Sequence, residues 1–183
     1  VVVSVVATAS FVCASSATPL PAVLLAKGVS PGAVLSGLLL GPATNIATLA
    51  WLRNPQAGQL AQQLGAFCRF KTGLTNDVLE ITICTVARHW GQPYEWWAHK
   101  RNALKVNVDP AIIDAIENRQ RPKFASEQQA AAHDLAKELL ETKVVSQPTY
   151  QTALKLFGEK TLVELTQVIG YYTNIALQMN CFE

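Results

Sequence analysis

Charge is distributed along this chain with an abrupt edge. Between Val1 and Leu52 the only charged residue is Lys27; all 13 acidic residues and every other basic residue lie from Arg53 onward. The two regions, 1–52 and 53–183, are therefore read separately, as one domain with an appendage, which a length of 183 residues allows. The net charge of +2 is too small to imply a nucleic-acid partner, and no basic stripe with interleaved aromatics is present.

The first region holds two apolar stretches, 1–26 and 28–52, each about long enough to cross a bilayer if straight. They are not smooth rods. Pro19, Pro21, Pro31 and Pro42, with Gly28, Gly32, Gly37 and Gly41, interrupt them and favour half-helices and re-entrant elbows. The expectation is an apolar helical hairpin broken by proline and glycine, of the kind found in transporter cores. The order Phe11-Val12-Cys13-Ala14-Ser15-Ser16-Ala17-Thr18-Pro19-Leu20, then Leu25-Ala26-Lys27-Gly28-Val29-Ser30-Pro31-Gly32-Ala33, then Leu40-Gly41-Pro42-Ala43-Thr44-Asn45, is specific. It resembles one repeat of the predicted permease family that includes metal and organoarsenical efflux proteins. That resemblance implies a membrane association through residues 1–52; the plainer reading is a fused fragment or a buried apolar hairpin. The chain begins at Val1 and its one methionine is Met179, as expected for a cut through something longer. The start lacks the basic n-region of a signal peptide.

From Arg53 the pattern is helical throughout, and no segment sustains period-2 alternation. Pro55 fits a first turn, and Leu60, Leu64, Phe67 and Cys68 follow at helical spacing. Thr75-Asn76-Asp77 supplies caps for a helix over 78–89. A further helix is predicted over 92–105, and a short one after Asp109-Pro110 with Ile112, Ile113 and Ile116. After a polar loop over 118–124, Ser126-Glu127 opens a long amphipathic helix with Ala130, Ala131, Leu135, Leu139 and Leu140 on its face. Ser146-Gln147-Pro148 starts another that Gly158 ends, and residues 160–179 form the last. The predicted fold class is all-α, with about seven helices.

Chemistry concentrates in one place. Glu95 and His99 are four residues apart and share a helix face, and Glu80 lies on the preceding helix beyond the Gly91-Gln92-Pro93 break. Two carboxylates and an imidazole suit proton transfer near neutral pH. The cysteines Cys13, Cys68, Cys84 and Cys181 form no CxxC pair and have no zinc-ligand spacing with a histidine. Cys84 reads as buried core, and free thiols of this kind fit a reducing, cytoplasmic setting. Glu80, Glu95, His99 and His89 have metal-competent chemistry but no established ligand spacing, so neither metal nor cofactor is assigned.

Several strings within 53–183 together resemble the carboxymuconolactone decarboxylase family, which includes the AhpD-type alkylhydroperoxidases. They are Leu79-Glu80, Ala87-Arg88-His89-Trp90, Tyr94-Glu95-Trp96-Trp97-Ala98-His99, Phe157-Gly158-Glu159 with Leu162-Val163-Glu164-Leu165, and Gly170-Tyr171-Tyr172-Thr173-Asn174. The resemblance implies an AhpD-like helical bundle and a homo-oligomer, trimer or hexamer. The redox branch carries a glutamate, a CxxC and a histidine, which fall on Glu80, then Gln92 and Glu95, then His99. Both thiols are absent, so thiol peroxidase chemistry is not expected. The decarboxylase branch carries a Gly-Gln-x-x-Glu-x-x-x-His run, matched by Gly91, Gln92, Glu95 and His99.

That branch implies a cofactor-free lyase acting on a small lactone or carbonyl acid. Catalytic residues would be Glu80, Glu95 and His99, with His99 the proton donor and Glu80 or Glu95 orienting its other nitrogen. Gln92 or Arg101 would hold the carboxylate or the lactone carbonyl, and Tyr94, Trp96 and Trp97 would wall a dry pocket. Trp96 and Trp97 cannot both face that pocket, so one is expected at a subunit interface. Three other readings stand beside this one: an antioxidant-family member that has lost its redox cysteines, a non-catalytic oligomeric scaffold, and a permease component acting through 1–52. The plain alternatives for single residues are a satisfied core histidine for His99, a surface charge for Glu80, a helix-dipole contact for His89 and a surface position for His133.

Overall fold

The computed structural model describes residues 54–182. The expected apolar hairpin, its permease-like wording and its membrane role lie outside the described residues. Chain contacts divide the protein into two units; the described residues 54–66 and 181–182 fall in one, and 67–180 in the other. Every regular element among the described residues is helical. None of these helices is long and apolar enough to cross a membrane.

Six helical elements follow in order: α1 (Pro55–Phe70), α2 (Asn76–Trp90), α3 (Pro93–Lys105), α4 (Pro110–Glu117), α5 (Glu127–Thr142) and α6 (Gln147–Phe182). Their ends are set by local chemistry. Asp109 caps α4 by accepting from the Ala111 amide at 2.8 Å, and Ser126 caps α5 through Gln129 at 3.2 Å. Gly91 closes α2 in the left-handed conformation (φ 66°), where a Cβ would be strained. The expected stop at Gly158 is a break inside α6: its φ of 69° and ψ of 168° interrupt the helical path, which resumes on the far side.

Helix α2 is the centre of the 67–180 unit. All ten residues from Val78 to Ala87 are buried, so this helix has no solvent face in its middle. One side carries Val78, Leu79, Ile83 and Val86 into a cluster with Leu135 and Leu140 of α5 and Leu162, Leu165 and Ile169 of α6. The other carries Ile81 and Cys84 against Ala103, Val108, Ile112, Ile113 and Ile116. Two threonines sit in this dry stretch, and each hydroxyl donates to the carbonyl four residues back: Thr82 to Val78 and Thr85 to Ile81, both at 2.8 Å. Of the expected α1 face, Cys68 is buried whereas Leu60, Leu64 and Phe67 are exposed. His133, expected at the surface, is 3% exposed: Asp134 holds its Nδ1 at 2.9 Å and the Phe124 ring lies 5.0 Å away.

Candidate active site

Glu80 lies at 1% exposure on the all-buried helix α2, where an unpaired charge would be severely destabilising. It has two partners. Its Oε1 pairs with the guanidinium of Arg69, in the last turn of α1. Its Oε2 meets Nδ1 of His99 at 2.7 Å. With Glu80 as acceptor, the Nδ1 proton belongs to His99 and the ring is oriented by that bond. Nε2 has no hydrogen-bond partner among the described residues. The edge-on ring of Tyr172, 5.0 Å away at 83°, packs the imidazole from α6. The group is only partly open to solvent: the His99 side chain is 12% exposed and that of Arg69 is 26%, against 1% for Glu80.

Glu95 is one turn before His99 on α3, and its environment is different. It occupies the third position of the helix, where a glutamate commonly folds back onto the N-cap amide to complete a capping box. Here that amide is taken: the Gln92 N–H donates to the Ala87 carbonyl at 3.1 Å, closing α2. The Gln92 side-chain oxygen caps α3, accepting from the amides of Tyr94 at 2.6 Å and Glu95 at 3.3 Å. The Glu95 carboxyl is left at 3% exposure with no hydrogen bond to either oxygen. Burial pushes its pKa up to about 8, so near neutral pH it is mostly the uncharged acid, able to donate a hydrogen bond.

The structure thus brings Glu80 and His99 into contact, while Glu95 makes no such bond. Gln92 is fully buried as the α3 cap. Trp96 packs against the cluster of Ile81 and Ile112, with the Lys100 ammonium 5.8 Å above its ring. Trp97 is 39% exposed, and Arg101 stacks 4.7 Å over its ring while Tyr94 lies 6.2 Å to the side. Arg101, expected to hold an anionic group, is on that exposed face; the cation joined to Glu80 is Arg69. Sequence reasoning missed Arg69, and also the ring of Tyr172. The only available signal was that a carboxylate on an all-apolar helix must find a cation, which does not say which of several arginines supplies it.

Among the described residues no thiol bonds to this group. Cys68 and Cys84 are both free and buried; burial raises Cys68 to about 11 and Cys84 further. Neither is a ready nucleophile. Among the described residues no cluster of three or more His, Cys, Asp or Glu side chains is placed to hold a metal ion. Compared with models of known protein families and with curated protein sequences, the chain matches none.

Proposed function

We propose that residues 53–183 form a carboxymuconolactone decarboxylase-like domain with an AhpD-like bundle of about seven helices. Its reaction is cofactor-free acid–base loss of carbon dioxide from a small lactone or carbonyl acid. The observation that carries this reading is the 2.7 Å bond from Glu80 to His99 Nδ1, which fixes the imidazole and leaves Nε2 for a substrate. In the proposed reaction the bond from the ring carbon to the carboxylate breaks, and its electron pair moves into the conjugated lactone carbonyl. Carbon dioxide leaves. The enolate-like carbon then takes a proton from Nε2 of His99, which the ring draws from solvent water while Nδ1 keeps its own, and Glu80 balances the charge of the doubly protonated ring. The uncharged Glu95 acid donates a hydrogen bond to the developing enolate oxygen. Arg69 supplies positive charge beside the anionic substrate. Gln92 caps the start of α3, the helix that carries Glu95 and His99.

The exposed Trp97, stacked with Arg101, supports assembly of the domain as a homo-oligomer. The permease reading of residues 1–52 is tested by membrane partitioning of the chain.

The deciding experiment is carbon dioxide release by the purified chain from 4-carboxymuconolactone and a panel of β-keto and lactone acids. Turnover is expected, and His99→Ala should lower it by about 10²–10⁴-fold while the protein stays folded. Silence from a folded chain across the panel would overturn the decarboxylase reading. Full activity in His99→Ala would overturn the site.

A further inference from the structure

A polar cavity apart from the Glu80–His99 pair is built from α2, the turn after α4, and α5. It offers about 60 Å³ to water-sized molecules, more than one water requires and of the order of a small tetrahedral ion. Its wall includes Arg88, His89, Arg119, His133, Lys137 and Glu141, so three cations face one carboxylate beside two imidazoles. None of Glu80, Glu95 and His99 takes part.

The wall is held in place by the fold. Arg88 donates from Nε to the Glu117 carbonyl at 2.7 Å, which anchors the guanidinium and leaves its terminal amino groups for a ligand. Arg119 follows the Asn118 cap of α4 with a left-handed backbone (φ 59°). Its amide donates to the Ile116 carbonyl at 3.0 Å. His133 has committed Nδ1 to Asp134, so Nε2 is the nitrogen a ligand can meet. A cation-rich cavity with a buried, oriented imidazole in its wall is a place where charge is missing.

We infer that this cavity binds a small oxyanion of phosphate size, as a free ion or as the phosphate of a phosphomonoester. Two guanidinium groups and one ammonium suit three tetrahedral oxygens better than a planar carboxylate. The electrostatics agree. Burial is the largest influence on both histidines and holds both below the usual imidazole range. For His89, Lys143 and Arg119 push the same way and Glu141 opposes them. For His133, Lys137 and Arg121 push down and Asp134 up. A bound dianion reverses the balance and draws a proton onto the imidazoles, so affinity rises as pH falls.

The test is calorimetric titration of the full chain with sulfate, which keeps both charges between about pH 5 and 8, so a pH effect belongs to the protein. Saturable binding is expected, tighter at pH 6 than at pH 8. Arg119→Gln and Lys137→Gln should each weaken it about tenfold. Lys105→Gln, an exposed cation at the end of α3, should not change it. Inorganic phosphate and glycerol phosphate form the remaining arms: tighter binding of the ester assigns the site to a larger phosphorylated ligand, and equal or weaker binding to the free ion. Arg119 is exposed and Lys137 half-buried, so both variants should fold, as checked by their circular dichroism. No saturable binding, or binding indifferent to both substitutions, would overturn the inference. Loss of the decarboxylase reading would not touch it, since the two sites share no residue.

Discussion

Glu80 and Glu95 are removed from water to the same degree, at 1% and 3% exposure, yet the protein treats them in opposite ways. Glu80 is given a guanidinium on one oxygen and an imidazole on the other. Glu95 is given nothing, because the amide it would have capped is already used to close the preceding helix. One carboxyl therefore has a partner on each oxygen, and the other, buried without one, is held as the uncharged acid. Burial alone does not decide what a carboxyl does; the backbone hydrogen bonds around it decide whether it can find a partner.

The largest effect expected is at the partnered carboxylate. Arg69→Met leaves Glu80 with the imidazole alone and should destabilise the fold by about 3–5 kcal/mol in urea unfolding at neutral pH. A loss below about 1 kcal/mol would mean that the two carboxylates are not handled differently after all. The next effect belongs to Glu95 and depends on pH. Its folded-state pKa, about 8, is above the ordinary value of 4.5 that the unfolded chain has. Across that window the folded state holds the extra proton, so wild-type stability declines as pH rises from 4.5 towards 8. Glu95→Gln removes this dependence. Its melting temperature should match wild type near pH 5 and exceed it at pH 8, by roughly 10 °C if about 3 kcal/mol is recovered. A constant gap across pH would contradict the raised pKa.

A third carboxylate sharpens the comparison from between the two. Glu164 is 4% exposed and accepts one backbone hydrogen bond, from the Gly73 amide at 2.7 Å. Glu164→Leu should cost about 1–2 kcal/mol, less than Arg69→Met, because the Gly73 amide loses its acceptor while Lys160, 3.9 Å away and exposed, stays solvated.

Much of the helical framework was legible in sequence, since Pro55, Pro93 and Pro110 each begin a helix and Ser126 caps one. Helix α2 begins two residues before the expected Val78 and ends one after the expected His89, because Asn76 and Asp77, cap formers by type, are its first turn. The nearness of Glu80, Glu95 and His99 was legible, since Glu95 and His99 are four residues apart and Glu80 lies one helix back, but the sequence left open which carboxyl meets the imidazole. Arg69 was not, because its contact depends on where the end of α1 lies against α2, and helical periodicity carries no information about that. The cap role of Gln92 was also hidden: the sequence offers its amide as a holder of a substrate carboxylate or carbonyl, whereas its oxygen accepts from the amides of Tyr94 and Glu95. His133 was misplaced because its neighbours Asp134 and Lys137 made the local stretch look like a solvated face, whereas Phe124 and Asp134 enclose it.

The ten consecutive buried residues of α2 have a kinetic consequence. Their amides are shielded by α3 and α4 on one side and by α5 and α6 on the other. No single neighbour can swing away and expose the whole helix, so deuterium should enter its centre only when the entire 67–180 unit opens at once. Amides from Val78 to Ala87 should then form one slow-exchanging class with a common opening free energy, and that class would report the cooperativity of the domain directly.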